Sequence, residues 1–417
     1  MLTEVAELRE PQARAATAPG SLTRQVFRDF AGLDHLRAAW DDAVASAGGS
    51  VYMTYDWARV WWAHYGKSAE LRLFVFSAAG RVVAVVPLYL DTLGWGPWRL
   101  RVARLVGANI PPKVFSPPVP AWCAREVLGD VLTTLFAHEK CDLVSFGPVS
   151  EREHWKDSIP AVCGDRRGVI GAGTAARGVH SVFHLPVDIE AYYAGLSKNE
   201  RKNRRKYDLR LLKKEYDTRV DVVSDPGLAT AEFERFAEQH REQWFAERKS
   251  GHFGAWPDAL AFNRALVEAQ ARRGRVRFIR IIADGAVIAS QYTFAFADRY
   301  YWELPARAVE AQWERFSLGP TGIVTMLAQG ISEGITQVEG GLAHYDYKIR
   351  LGAKEYATLT FRLVSTRLAA RLRVAVFSVI RRCVSVAYHK LWYRRIMPRL
   401  PAAFWRPQIR LWLRLDF

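Results

Sequence analysis

Glu339, His344 and Tyr345 follow one another closely behind two glycines, in the run Glu339-Gly340-Gly341-Leu342-Ala343-His344-Tyr345. A carboxylate at the end of a short strand, beside flexible backbone, can be desolvated by a bound substrate and its pKa raised toward neutrality. An unperturbed histidine titrates at about pH 6.5 and suits a proton shuttle. Tyr345 or Tyr347 carries a phenol that can give up a proton, although a place in the core is the ordinary use of both, and solvation the ordinary state of Lys348. A second group is Ser317-Leu318-Gly319-Pro320-Thr321-Gly322. It suits a helix start that holds an anion: Ser317 as cap, Gly319 for close approach, Pro320 in the first turn, where free N–H groups and the macrodipole favour negative charge. The same residues suit an ordinary capped helix equally well. In His240-Arg241-Glu242-Gln243-Trp244, Arg241, Gln243 and Trp244 sit at helical spacing from His240. Arg241 suits an anionic group of a substrate and Trp244 the core. His64, His138, His154, His180 and His252 stand alone, with no ligand spacing, so no metal site is assigned.

The elements that must hold these residues read as strand hairpins and amphipathic helices. Residues 71–90 form two β-rich runs about Ala79-Gly80, and residues 276–296 form two more about Asp284-Gly285, a dipeptide favoured in tight hairpins. A third strand follows at 300–304. Each hairpin leads to a helix and then to a short strand ending in glycine: 122–140 and 143–147 in the first half, 321–333 and 336–341 in the second. The matching order, with little matching sequence, points to a degenerate internal duplication. Helices are expected at 190–216, 229–245 and 257–272, and a short strand at 184–186. The fold class is therefore α/β or α+β, with mainly antiparallel sheets flanked by helices.

The chain has 417 residues, long enough for two domains. The expected division is a disordered leader (1–24), an N-terminal domain (25–165), a Gly/Ala-rich linker (166–180), a C-terminal domain carrying the site (181–365) and a basic tail (366–417). Half the residues are hydrophobic and 24% charged, which excludes a disordered protein. Four scattered cysteines without a CxxC pair argue against a zinc site or a disulfide framework and fit a reducing cytosol. The net charge of +16 is concentrated in two segments, +6 over 196–215 and +11 over 367–417. The first could face nucleic acid, but Tyr207 is its one interleaved aromatic before Tyr216, so a solvated helix or an acidic-surface contact fits equally. In the tail, Arg367, Arg371, Ser378, Arg382, Ser385 and His389 form one helical stripe. Ala369, Leu372, Val376, Val379, Cys383, Ala387 and Leu391 form the opposite one. Further on, Trp405, Ile409, Trp412 and Leu413 alternate with Arg406, Arg410 and Arg414. That composition suits peripheral binding to an anionic membrane surface at the cytoplasmic leaflet, the competing use being a helix packed on the protein's own body. No run of 18 or more apolar residues is present to span a bilayer as a helix.

Five of these motifs, in order, resemble those of one acyltransferase family. Leu196-Ser197-Lys198 with Arg201-Lys202-Asn203-Arg204-Arg205, His240 to Trp244, Asp284-Gly285 with Ile288-Ala289, Phe316 to Gly322, and Glu339-Gly340-Gly341 leading to Tyr345-Asp346-Tyr347-Lys348 are similar to the GNAT superfamily. Specifically, they resemble its FemAB-like branch associated with cellulose and exopolysaccharide biosynthesis, over roughly residues 25–365. The resemblance implies tandem GNAT folds and transfer of an acyl group from an acyl-CoA-type thioester to an amine, on an amino sugar or a lipid-linked envelope precursor. It implies Glu339, His344 and Tyr345 as catalytic residues. Arg315, Ser317, Gly319, Thr321 and Gly322 would bind the donor, and Arg241, Trp244 and Lys348 the acceptor. Leu318 stands where the phosphate loop of such enzymes has its first glycine, and Glu339 where the branch more often has Asp; both bear on the donor rather than the fold. Two rival functions follow from the same features: an aminoacyl-tRNA-dependent FemAB-like transferase, and a non-catalytic scaffold of a polysaccharide-synthesis complex. The first half, lacking a matching glycine signature, is expected to be structural.

Overall fold

Both hairpins turn where their glycines stand. Ala79 and Gly80, and likewise Asp284 and Gly285, take positive φ (48°, 76°, 47° and 83°), the left-handed pair that matches the twist of adjoining antiparallel strands. The computed structural model describes residues 21–401 apart from 109–112, 116, 166–169 and 208, together with 404, 414 and 415. The leader up to residue 20, the start of the expected linker, the side chain of Tyr207, and Trp405, Arg406, Ile409, Arg410, Trp412 and Leu413 lie outside the described residues.

The strands are β1 (Thr23–Phe27), β2 (Glu70–Ala78), β3 (Arg81–Leu93), β4 (Leu100–Leu105), β5 (Leu143–Ser150), β6 (Ile170–His184), β7 (Thr218–Val223), β8 (Val276–Ala283), β9 (Ala286–Phe296), β10 (Arg299–Arg307), β11 (Gln337–Leu342) and β12 (Lys354–Ser365). They form one mixed sheet in the order β1-β2-β3-β4-β5-β12-β6-β11-β10-β9-β8-β7. The order is symmetric about its middle. Each half is an antiparallel meander closed by a parallel pair, β4 with β5 and β10 with β11. The sixth strand of each half lies beside the other half: β12 pairs with β5, β6 pairs with β11, and β6 and β12 pair along their length. The Gly/Ala-rich stretch read as a linker is, from Ile170 onward, this central strand. Its Gly/Ala-rich part has no side-chain alternation; a backbone ladder to β12, joined by β11 from His180 onward, sets its place.

Six helices matter for the site and the surface: α1 (Tyr55–Tyr65), α2 (Pro226–Ala246), α3 (Ala259–Ala271), α4 (Leu318–Ser332), α5 (Asp346–Arg350) and α6 (Leu368–Ser385). The single helix expected over 190–216 is instead three short ones, Ile189–Gly195, Lys198–Tyr207 and Leu209–Glu215. Leu196 is extended at the first break, and Ser197 Oγ accepts the Glu200 N–H, capping a new start. The largest apolar core crosses the halves: Trp57 on α1 meets Phe262 on α3 and Phe294 on β9 edge-on, with ring centroids 5.9 and 6.0 Å apart. Truncating a buried tryptophan of this kind costs about 3–5 kcal/mol.

Candidate active site

β10 and β11 run in parallel for three residue pairs, Arg299 with Gln337 to Tyr301 with Glu339, and then part. The register of β10 against β9 shifts between Trp302 and Leu304, and that of β11 against β6 between Glu339 and Leu342. Such bulges end pairing and re-aim side chains. A cavity of about 720 Å³ opens at the divergence. The first half starts the same way, with Val102 beside Leu143 to Arg104 beside Ser145. There, however, the segment at the buried Phe115 lies against β5, its N–H donating to the Pro148 carbonyl at 2.8 Å. One half's divergence takes up chain; the other's stays open.

Two carboxylates line the open one. Glu303 of β10 is almost wholly buried, with Lys113 Nζ at 2.5 Å from one oxygen and the Tyr52 hydroxyl at 3.1 Å from the other. Both partners come from the first half. Burial pushes the Tyr52 phenol pKa well up, which keeps it a donor. Glu339 of β11 accepts from His180 Nδ1 at 2.7 Å; His180 Nε2, in turn, lies 2.8 Å from Ser150 Oγ. Because an ionised carboxylate can only accept, His180 Nδ1 donates to Glu339. This chain of three joins β5, β6 and β11 and ends on a cavity-facing carboxylate.

Lys348 on α5 also lines the cavity. Its ammonium donates to the Gly340 carbonyl at 2.7 Å and lies 4.6 Å from the Tyr345 ring centroid and 5.6 Å from that of Trp302. Burial lowers its pKa to about 8, against the pull of Glu339 and Glu355. On the opposite wall His252 lines the cavity, and His240 stands behind it with Nδ1 on the Pro305 carbonyl at 2.8 Å. Burial holds both imidazoles neutral, with pKa lowered to about 3 and about 4.

The start of α4 reaches the cavity through Gly319 and Pro320. A Cβ at Gly319 would meet nothing within 4 Å, so a ligand can approach a turn whose first N–H groups have no acceptor in their own helix. Three buried polar atoms of lining residues have no hydrogen-bond partner among the described residues: Gln291 Oε1, Trp244 Nε1 and Trp302 Nε1. An enclosed polar atom left unpaired is costly. A phosphorylated donor fits this combination of a helix start and an open glycine. Among the described residues no group of three or more His, Cys, Asp and Glu could hold a metal ion.

Of the residues given a catalytic or binding role by the resemblance, Glu339, Tyr345, Gly319, Trp244 and Lys348 meet at this cavity. The others lie elsewhere. His344 is exposed between Glu355 and Asp346, and its hydrogen bonds to them, Glu355's first, raise its pKa. Arg241 is exposed on an ion pair with Glu238. Arg315 pairs with Glu215 and covers the Phe316 ring. Ser317 takes φ 52° and makes no side-chain cap. Thr321 is buried with its hydroxyl on the Phe316 carbonyl, and Gly322 packs against the Gln291 amide. Sequence reasoning missed Glu303, although a lone carboxylate inside the aromatic run Tyr300-Tyr301-Trp302-Glu303 is a usable signal. It also missed Tyr52, Lys113, Ser150 and His180, which no local pattern marks.

Residues 198–349 match the family described as acetyltransferase (GNAT) domain. No curated protein matches the chain. Among solved structures, the crystal structure of FemX superposes with a TM-score of 0.56 at 11% identity, covering 78% of this chain and 95% of that one. A conserved protein of unknown function from Bacteroides thetaiotaomicron gives 0.51 at 8% identity, covering 79% and 97%. At these identities the two structures share the fold. The family match takes in β10, β11 and the start of α4, and on that ground the chain is an acyltransferase carrying a GNAT-type domain over residues 198–349.

Proposed function

We propose that the protein is an N-acyltransferase of the FemAB-like branch, moving an acyl group from an acyl-CoA-type thioester to an amine on an amino sugar or a lipid-linked envelope or exopolysaccharide precursor. The observation that carries this reading is the cavity at the β10–β11 divergence, with the start of α4 at one wall and two differently committed carboxylates within. Glu303 has a partner on each oxygen, so it serves as a fixed negative charge tying the first half to the site. Glu339 has one oxygen on His180, which leaves it the better proton acceptor. In the reaction the amine nitrogen bonds to the thioester carbon and the carbon–sulfur bond breaks. Glu339 takes the proton from nitrogen, and Tyr345 supplies one to the departing sulfur. Lys348 adds positive charge beside the developing oxyanion.

The aromatic lining, with Tyr52, Trp244, Trp256, Trp302 and Tyr345 among it, supports a substrate with a ring or an acyl chain to bury. The first test is thermal stabilisation by coenzyme A, acetyl-CoA and a long-chain acyl-CoA, with tRNA in parallel. A ligand at about 100 times its Kd adds roughly 2.7 kcal/mol. A shift with a CoA species, together with a Glu339→Gln variant that keeps the shift but loses about a hundredfold or more in kcat, is the expected result. A shift with tRNA alone transfers the reading to an aminoacyl-tRNA donor. Full turnover in Glu339→Gln removes that residue from the mechanism.

A further inference from the structure

Helix α6 has one side on the protein and one side in water. Ala370 and Phe377 are buried, Phe377 beside Leu93, Leu100, Val102 and Leu143, and Arg373 reaches Asp142 at 2.7 Å. These positions share a face. Away from it, Leu368, Leu372 and Val379 are 75%, 49% and 62% exposed. The helix continues over Val386–Ile396, where Val386 and Leu391 extend the apolar line outward. The apolar stripe expected from the sequence is thus exposed at Leu372, Val379 and Leu391 among the described residues. Between Glu355 and Asp416 the chain has no carboxylate, while Arg371, Arg382, Lys390, Arg394 and Arg395 stand exposed along the same stretch.

A second, separate observation comes from the first half. The loop joining β3 to β4 carries Trp95 and Trp98, 81% and 47% exposed. It abuts α6: Arg373 Nη1 donates to the Pro97 carbonyl at 3.4 Å, and a Cβ at Gly94 would come within 2.9 Å of the Phe377 ring. Two tryptophans far away in sequence thus sit at the flank of a basic, acid-free, apolar-ridged helix.

We propose that the outer face of α6 and its continuation, with the Trp95–Trp98 loop, is a docking surface for an anionic lipid bilayer. Apolar residues on a basic helix favour the interface between headgroups and acyl chains, and tryptophan favours the same depth. Nucleic acid would answer the charge and leave the ridge in water. A neutral bilayer would cover the ridge and leave the charge unanswered. An anionic leaflet answers both, with about fivefold in affinity per basic residue near it. No described helix is long and apolar enough to cross a membrane, so the contact is with the surface.

The test is co-sedimentation of the full chain with vesicles of phosphatidylcholine alone and of phosphatidylcholine with phosphatidylglycerol. Binding is expected only with phosphatidylglycerol, weakening as salt rises. Leu372→Glu and Val379→Glu, at exposed positions, should lower partitioning by more than roughly tenfold with an unchanged melting profile. Trp95→Ser reports from the separate loop and serves if a helix variant disturbs folding. Three results overturn the proposal: no binding to anionic vesicles, binding that all three variants leave intact, or lipid-free self-association that the same variants abolish. The last would make the face an interface between copies of the chain. Acyl transfer is not measured in any arm, so failure here is distinct from failure of the proposed chemistry.

Discussion

Glu303 and Glu339 share a cavity and differ in what holds them. Lys113 and Tyr52 lock the first on both oxygens, while the His180–Ser150 chain holds the second on one. His252 on the cavity lining and His240 behind it are kept neutral by burial, which gives a prediction about pH. Their pKa values fall from 6.5 to about 4 and about 3 in the folded state. Between those values and 6.5 the unfolded chain binds more protons than the native one, so the stability they contribute is complete above pH 6.5 and is lost as the pH falls. The wild type should therefore lose more stability between pH 7 and pH 5 than His252→Gln does, read from urea midpoints at the two values. Equal losses would mean that His252 takes up its proton without unfolding. Glu339 and Lys348 could be named from sequence because they lie in one short glycine-introduced segment. His180, equally isolated in sequence, acquires its role only from strand pairing with partners 30 and 159 positions away.

At the scale of elements, the site depends on two strands that start paired and separate, and on the helix between them in sequence. Gly322 of α4 has no room for a side chain, since a Cβ there would lie 2.6 Å from Gln291 Nε2. Gln291 is buried and lines the cavity. Gly322→Ala should lower stability by about 1–3 kcal/mol and raise KM, because the amide must swing into the space a substrate uses. Adding Gln291→Ala should restore most of the stability, and a double-mutant cycle measures the coupling. If the two changes prove additive, the close approach is not what requires glycine. The hairpins, α2, α3 and α4 were legible beforehand because turn residues and helical periodicity act locally. β6 was not, since Gly171, Gly173, Ala175, Ala176 and Gly178 carry no alternation; its place comes from ladders to β11 and β12.

For the whole molecule, the exchanged strands make the halves interdependent. β12 needs β5, the core joins Trp57 to Phe262 and Phe294, and Arg275 reaches Asp41 at 2.7 Å across the two halves. Residues 181–365 expressed alone should be insoluble, with β12 stripped of β5 and of most of β6 and Glu303 without Lys113; co-expression with residues 21–180 should recover soluble material. A soluble, monodisperse 181–365 with the chain's activity would show the halves to be independent. The sequence by itself determined the fold class, the repeat order, the glycine-flanked acid and the amphipathic tail, because each is written in spacing, turn chemistry or composition over a few residues. Only the tertiary structure decided which divergence stays open, which carboxylate is locked and which is available, and that the first half supplies Tyr52 and Lys113. Those outcomes rest on contacts such as Lys113 to Glu303, 190 positions apart, and no local pattern encodes a contact whose geometry exists only once the sheet has closed around it.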